Sequence, residues 1–171
     1  GLGDVYKRQD RNNSMGNISS IKKINYEDMQ EISKKRIDCI LINTLPIYNQ
    51  DCLIPNTINA SHEEQIINHL LYKNKKKRLV IYGKNSNDSK TYEKYQQLQD
   101  LGFTNIYVYP GGMFEWCLLQ DIYGDELFKT TSKITDILKY KPESLTNINY
   151  NNSIITANNN HHNNNNGYNC N

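Results

Sequence analysis

The stretch VIYGKNSNDSKTYEKY, residues 80–95, joins an apolar run to a short polar loop and then to a helical pattern. The apolar run ends at Tyr82, and Gly83 begins the loop. A loop between a strand and a helix N-terminus is a common place to hold an anion or a reactive sulfur, because free backbone amides point into it. Here a glycine stands where a nucleophile would be expected.

The rest of the chain alternates between the same two kinds of pattern. Continuous apolar runs, typical of buried strands, occupy residues 37–44, 79–82 and 105–109. Apolar residues at helical spacing occupy residues 24–35, 61–74, 89–102 and 113–124, and a last short helix is predicted over residues 134–140. This alternation predicts an α/β fold: a single three-layer domain with a central, mostly parallel sheet flanked by helices.

Local signals predict where some of these helices begin and end. Ser61 is followed three residues later by Glu64, which predicts a capping box with Ser61 as the N-cap. Gly102 is predicted to end the helix over residues 89–102. One of the polar residues at positions 86–88 is predicted to cap the start of that helix.

The two ends of the chain are predicted to lie outside the folded domain. Residues 1–9, GLGDVYKRQ, can be back-translated into a sequence that resembles a transposase end used in sequencing libraries, so we assign residues 1–17 to an adapter-derived, disordered segment. Residues 18–142 form the predicted domain. Residues 143–171 form an Asn-rich, low-complexity tail that is predicted to be disordered.

Charge and cysteine usage exclude several classes of function. The net charge of +2 is too small for a typical nucleic-acid surface, and no apolar run approaches the length of a membrane span. The four cysteines are far apart and show no CxxC spacing, which indicates reduced thiols and a cytoplasmic setting rather than a metal site. We expect no metal, no cofactor, no nucleic-acid partner and no membrane partner.

Three segments, in this order and spacing, resemble a rhodanese-like domain over residues 21–131. CLIPNTIN, residues 52–59, keeps the Ile-Pro and Ile-Asn pairs of the family's Gly-His-Ile-Pro-Gly-Ala-Ile-Asn stretch. VIYG precedes a loop and a helix, where the family places its active-site loop. LGFTNIYVYPGGMFEW, residues 101–116, is similar to the family's Gly-Phe-x-x-Val-x-x-Leu-x-Gly-Gly-x-x-x-Trp, and it gives Gly111, Gly112 and Trp116 as turn and pocket residues.

The resemblance implies a sulfurtransferase fold without its nucleophile. Active members of the family carry a cysteine at the end of the strand before the loop, which takes sulfur from a donor such as thiosulfate and holds it as a persulfide. Here Gly83 occupies that position, and Asp88 stands about where a basic residue would help to bind the donor. Asn43 and Leu45 occupy the region where the family often has Asp and Arg. The resemblance therefore implies a pseudoenzyme with no catalytic residue, which serves as a binding or regulatory module.

Two questions stay open at the level of the sequence. The first is whether the protein is an active sulfurtransferase that uses another thiol, for which Cys52 is the best candidate because it lies in a loop. The second is the nature of the partner, which is either a protein or a small anion bound by the loop with help from the charge of Lys84. The candidate binding loop consists of Gly83, Lys84, Asn85, Ser86, Asn87 and Asp88.

Overall fold

A computed structural model describes residues 20–34 and 39–144 of the chain. The segment assigned above to residues 1–17 and the tail beyond residue 144 lie outside the described residues, as do residues 37 and 38 of the first predicted strand. The contacts divide the chain after Lys141, and the fold described below belongs to the first of the two units.

Within the described residues, helices and parallel strands alternate as predicted. The strands are β1 (Cys39–Asn43), β2 (Arg78–Tyr82) and β3 (Ile106–Tyr109), and the helices are α1 (Tyr26–Lys34), α2 (Ala60–Lys73), α3 (Ser89–Asp100) and α4 (Gly112–Tyr123). Short 3-10 turns cover Ile47–Asn49 and Ile137–Tyr140, so the last predicted helix is a single 3-10 turn. None of the described helices combines the length and the apolar character that crossing a membrane requires.

The sheet has the strand order β1-β2-β3, with every neighbouring pair parallel. Val80 in the central strand pairs with Leu41 on one side and with Tyr107 on the other. Single parallel bridges add Thr57 beside Leu41 and Lys23 beside Val108, one at each side of the sheet. A parallel sheet needs a crossover between successive strands, and the helices between them supply it.

Both faces of the sheet are covered, and this confirms the predicted three-layer α/β architecture. Because side chains alternate along a strand, Leu41, Val80 and Tyr82 face one hydrophobic cluster, and Ile42 and Ile81 face another. The first cluster contains residues of α1 and α4, among them Met29, Ile32, Met113 and Trp116. The second contains residues of α2 and α3, namely Ile67, Tyr95 and Leu98.

The start of α2 differs from the prediction. The N-cap is Asn59, whose side chain accepts a hydrogen bond from the backbone N–H of Ser61 at 2.9 Å, and the helix begins at Ala60. The predicted capping box with Ser61 as N-cap is therefore wrong. Asparagine caps a helix at least as well as serine, so the earlier of two competing polar residues starts the helix here.

The end of α3 agrees with the prediction that Gly102 stops it. The backbone N–H of Phe103 donates to the carbonyl oxygen of Leu98 at 3.1 Å, and that of Gly102 donates to Gln99 at 2.9 Å. This pair of bonds is the Schellman motif. It requires a left-handed residue, and Gly102 supplies one with φ +90°.

Candidate functional site

The carboxyl ends of the three strands meet at the loop that follows β2. The backbone N–H of Thr44, just after β1, donates to the carbonyl oxygen of Tyr82 at 2.9 Å. The N–H groups of Met113 and Phe114, in the first turn of α4, donate to the carbonyl oxygens of Gly83 and Lys84 at 3.0 and 2.8 Å. These two N–H groups of α4 are therefore already hydrogen-bonded to carbonyl oxygens of the loop.

Gly112 allows this close approach of α4 to the loop. Its backbone is left-handed, with φ +60°. A Cβ atom at this position would lie 2.5 Å from the carbonyl oxygen of Gly83 and 2.9 Å from the backbone nitrogen of Asn85. Backbone atoms cannot rotate away as a side chain can, so glycine is required here on two grounds.

The space beside Gly83 is filled by three side-chain oxygens. A Cβ atom built on Gly83 would have Oγ1 of Thr44, Oγ1 of Thr91 and Oδ2 of Asp88 all within 2.7 Å. The two threonine hydroxyls lie 3.2 Å apart, at hydrogen-bond distance from each other. The position that the resemblance gives to a sulfur-carrying side chain is thus occupied by oxygens from three different elements of the chain.

Asp88 connects the loop to α3 through both of its carboxylate oxygens. Oδ2 accepts a hydrogen bond from the backbone N–H of Lys84 at 2.9 Å, and Oδ1 accepts one from the N–H of Lys90 at 3.1 Å. Asp88 is the N-cap of α3, and it is one of the three residues from which the sequence predicted the cap. A carboxylate at this position is also stabilised by the dipole of the helix that it caps.

The middle of the loop is held by Asn85, which is buried. Its side-chain amide donates to the carbonyl oxygen of Tyr140 at 2.7 Å, and its side-chain oxygen accepts from the backbone N–H of Asn87 at 3.0 Å. The backbone N–H of Asp88 closes a turn onto the carbonyl oxygen of Asn85 at 3.2 Å. Ser86 and Asn87 are exposed at the tip of the loop.

We expect a Gly83→Ala substitution to destabilise the protein by about 1–3 kcal/mol, because the added methyl group overpacks a filled space. Urea denaturation of the full chain measures the loss. A Ser86→Ala variant, changed at the exposed tip of the same loop, is the control and should have an unchanged midpoint. An unchanged midpoint for Gly83→Ala would show that the three oxygens do not fill this space in solution.

The residues after β1 form a hydrogen-bonded turn. The side-chain oxygen of buried Asn43 accepts from the backbone N–H of Leu45 at 3.2 Å and from the side-chain amide of Gln50 at 2.7 Å. The same Gln50 amide donates to the carbonyl oxygen of Leu45 at 2.7 Å. Asn43 and Leu45, singled out as departures from the family pattern, thus serve to shape this turn.

Cys52, the alternative thiol, is almost completely buried, with 1% of its surface exposed. Its Sγ donates to the carbonyl oxygen of Ser132 at 3.4 Å. The segment that follows it is anchored to the sheet, because the hydroxyl of Tyr82 accepts from the backbone N–H of Ile54 at 3.3 Å and lies 2.8 Å from Oγ1 of Thr57. In this position the thiol is not accessible to a sulfur donor.

The other described thiols are also unsuited to nucleophilic chemistry. Burial, together with the neighbouring Cys52, raises the pKa of Cys117 to about 12. Burial raises the pKa of Cys39 as well, and the positive charge of Arg78 opposes that effect. Since the thiolate is the reactive form, neither group is activated near neutral pH.

The structure places Trp116 in the core and Gly111 in the turn before α4. Trp116 lies in the core with no exposed surface, where its ring packs edge-on against Tyr109 and Phe128. Its Nε1–H donates to the carbonyl oxygen of Lys129 at 2.9 Å. Gly111 is the N-cap of α4 with φ −60°, and a Cβ there would meet the side chain of Glu115. Trp116 is thus a packing residue, and Gly111 belongs to the turn.

A shallow groove of about 450 Å³ lies beside the loop, on the side of Thr44. It is lined by residues from the end of β1 and the starts of α2 and α3, including an ion pair of 2.8 Å between Lys94 and Glu63. Across the described part of the chain, His, Cys, Asp and Glu side chains form no group of three or more that could hold a metal ion.

The sequence argument missed the two threonines of the site. Thr44 follows directly after β1, and strand order alone places it at the same edge as Gly83. Thr91 stands three residues after the N-cap Asp88, on the first turn of α3. Their positions along the chain could have placed them at the carboxyl-terminal edge of the sheet. Their distance to Gly83, however, depends on how α3 packs on the sheet.

The sequence model of the family described as "Rhodanese-like domain" matches residues 26–119, which is more than half of the chain. None of the curated proteins matches the sequence. Solved structures to which the chain is similar include an uncharacterized protein from Saccharomyces cerevisiae, with 22% identity, a TM-score of 0.48, and coverage of 64% of this chain and 98% of that chain.

Two further similar structures belong to proteins whose names describe a domain or an activity. One is the rhodanese-like domain of a protein from Anabaena, with 15% identity, a TM-score of 0.47, and coverage of 74% of this chain and 89% of that one. The other is a thiosulfate sulfurtransferase from Pseudomonas aeruginosa, with 16% identity and a TM-score of 0.47; the match covers 57% of this chain and 19% of that enzyme. On the strength of the family match over residues 26–119, the chain belongs to the rhodanese-like domain family.

Proposed function

We propose that this protein is a catalytically inactive rhodanese-like domain that serves as a binding or regulatory module. The proposal rests on the residue at position 83 and on the side chains around it. The residue is a glycine, and the space beside it is filled by oxygens of Thr44, Asp88 and Thr91. Sulfur transfer through a persulfide requires an activated thiolate, and residues 83–88 contain no thiol.

The surrounding loop supports the same proposal. A sulfur donor such as thiosulfate is an anion, and a basic residue would favour its binding. Asp88 instead places a negative charge next to Gly83, with Oδ2 2.9 Å from the backbone nitrogen of Lys84. This carboxylate disfavours an anionic donor at the position where the transfer would have to occur, and it opposes the positive charge of Lys84.

The competing function is sulfur transfer through Cys52. Its thiol is 1% exposed and is hydrogen-bonded to a backbone carbonyl, so a donor would reach it only after the surrounding segment opened. We therefore favour the inactive domain over this alternative.

The proposal predicts that the full chain shows no thiosulfate:cyanide sulfurtransferase turnover above the uncatalysed background. It also predicts that no species about 32 Da heavier, the mass of one sulfur atom, appears by mass spectrometry after incubation with thiosulfate, because residue 83 is not a cysteine and Cys52 is buried. A Cys52→Ser variant is the matched control and should behave identically. Turnover in the wild type that the Cys52→Ser change abolishes would establish the competing function instead.

For the partner, we propose a protein rather than a small anion. The loop amides of Lys84, Asn87 and Asp88 are engaged within the chain, whereas the groove beside Thr44 is open to solvent.

We also propose the cytoplasm as the compartment. Cys39, Cys52 and Cys117 are free thiols, a state that a reducing compartment maintains.

A further inference from the structure

Two backbone N–H groups at the loop after β2 donate to a single carboxylate of the same chain. The carboxylate of Asp88 accepts from the backbone N–H of Lys84 at the start of the loop and from the N–H of Lys90 in the first turn of α3. Oδ2 binds the N–H at the start of the loop, and Oδ1 binds the N–H in the helix that follows the loop. The carboxylate therefore connects the two ends of the loop.

An incoming oxyanion would need the same donors and the same space. Oδ2 of Asp88 is one of the three oxygens that fill the space where a Cβ atom of residue 83 would lie. Oγ1 of Thr44 and Oγ1 of Thr91 complete the set, and Thr91 is buried. A second anion would have to displace the carboxylate or share the space with a like charge.

Two N–H groups in the first turn of α4 are also unavailable to such an anion. The N–H groups of Met113 and Phe114 donate to carbonyl oxygens of the loop at 3.0 and 2.8 Å. The turn around Asn85 likewise uses the N–H groups of Asn87 and Asp88 internally.

We propose that the carboxylate of Asp88 acts as the loop's own anion and closes it against external oxyanions such as thiosulfate, sulfate and phosphate. The contact is autoinhibitory with respect to anion binding. The inference deepens the proposed function and rests on it, since it names the group that occupies the same loop in a domain without the thiol.

Replacement of Asp88 by serine tests this proposal. Serine is a good N-cap, so the change removes the carboxylate and leaves α3 capped. An Asp88→Gly variant serves the same purpose, because glycine costs only a few tenths of a kcal/mol at an N-cap. Thermal unfolding of both variants identifies at least one that is folded for the titration.

The measurement is a titration of the 15N-labelled full chain with sodium thiosulfate and, separately, sodium sulfate, followed by amide chemical shifts. Sodium chloride at equal ionic strength is the reference. We expect the wild type to show the same shifts with thiosulfate and sulfate as with chloride at residues 83–90. We expect the Asp88 variant to show saturable shifts of the Lys84 and Lys90 amides, with an affinity about tenfold or more above that of the wild type, as removal of one adjacent like charge implies.

An Asp100→Asn variant is the matched control, because it removes an exposed carboxylate at the other end of α3 and keeps Asp88; it should behave as the wild type. Saturable anion binding by the wild type would overturn the inference, as would a folded Asp88 variant that binds no anion. Both outcomes are independent of the sulfurtransferase assay, so failure of this inference and failure of the proposed function can be told apart.

Discussion

A Gly112→Ala variant should lose about 2–6 kcal/mol of unfolding free energy, as the sum of two independent costs. The left-handed backbone of residue 112, with φ +60°, costs a non-glycine residue about 1–3 kcal/mol. The added methyl group meets backbone atoms of residues 83–85, at 2.5 to 2.9 Å, and overpacking of this kind costs about 1–3 kcal/mol more. Urea denaturation of the full chain gives the value.

Gly124→Ala is the matched control for this prediction. Gly124 also has a left-handed backbone, with φ +93°, but in the described part of the chain no atom beyond its two neighbours lies within 4 Å of a Cβ built there. We expect this variant to lose only about 1–3 kcal/mol, the cost of the backbone conformation alone. Equal losses in the two variants would contradict the argument that backbone contact with the loop determines the choice of glycine at residue 112.

The variant also reports on the loop. Met113 and Phe114 donate their N–H groups to Gly83 and Lys84, so a displaced Gly112 moves the amides that hold the loop. We therefore expect the chemical shifts of the Met113 and Phe114 amides to change in Gly112→Ala and to stay close to the wild type in Gly124→Ala, which is changed at the other end of α4.

Replacement of Trp116 by alanine should destabilise the protein by about 3–5 kcal/mol, the usual cost of removing a buried tryptophan. The ring is fully buried and packs edge-on against Tyr109 at 6.4 Å and Phe128 at 5.1 Å between centroids. Its loss also leaves the carbonyl oxygen of Lys129 without the hydrogen bond from Nε1. Because small domains have only about 5–15 kcal/mol in total, this variant should be close to unfolded at 37 °C.

A Trp116→Phe variant keeps the prediction measurable. It retains an aromatic ring and loses the hydrogen bond, so the expected loss is about 1–3 kcal/mol, close to the cost of an unsatisfied carbonyl plus a small cavity. Far-UV circular dichroism with urea gives both values. A loss below about 1 kcal/mol for Trp116→Ala would place this side chain at the surface and contradict the packing described here.

Together these variants separate two properties of the site. Gly112 and Trp116 hold the frame of the fold around the loop, and their changes affect stability. Gly83 and Asp88 lie in the loop itself: a methyl group at residue 83 overpacks it, and a change of Asp88 alters which groups the loop can accommodate. The frame can therefore persist in this chain although the loop carries no sulfur nucleophile.

The sequence was a good guide to the fold because burial on both faces of a parallel strand leaves a direct trace. The strand Arg78–Tyr82 is apolar at four consecutive positions, and all four are buried. Helix ends were less predictable, because the signals are local and compete. Asn59 and Ser61 are both acceptable caps two residues apart, and the chain uses the earlier one.

The candidate site shows the same limit more sharply. The sequence places a glycine where the family carries a cysteine and puts Asp88 near the expected basic position. It does not say where the carboxylate points, because that depends on the turn around Asn85 and on the start of α3. Only the folded loop brings Oδ2 within hydrogen-bond distance of the Lys84 amide.

By itself, the sequence determined the alternation of strands and helices, the family resemblance and the missing thiol at Gly83, since each depends on residue type and spacing. The tertiary structure alone decided that Thr44, Asp88 and Thr91 fill the space beside Gly83, and that Cys52 and Trp116 are buried. Those facts depend on how the end of β1, the loop after β2 and the helices α3 and α4 pack together. Contacts between segments that are distant along the chain leave no periodic pattern in the residues themselves.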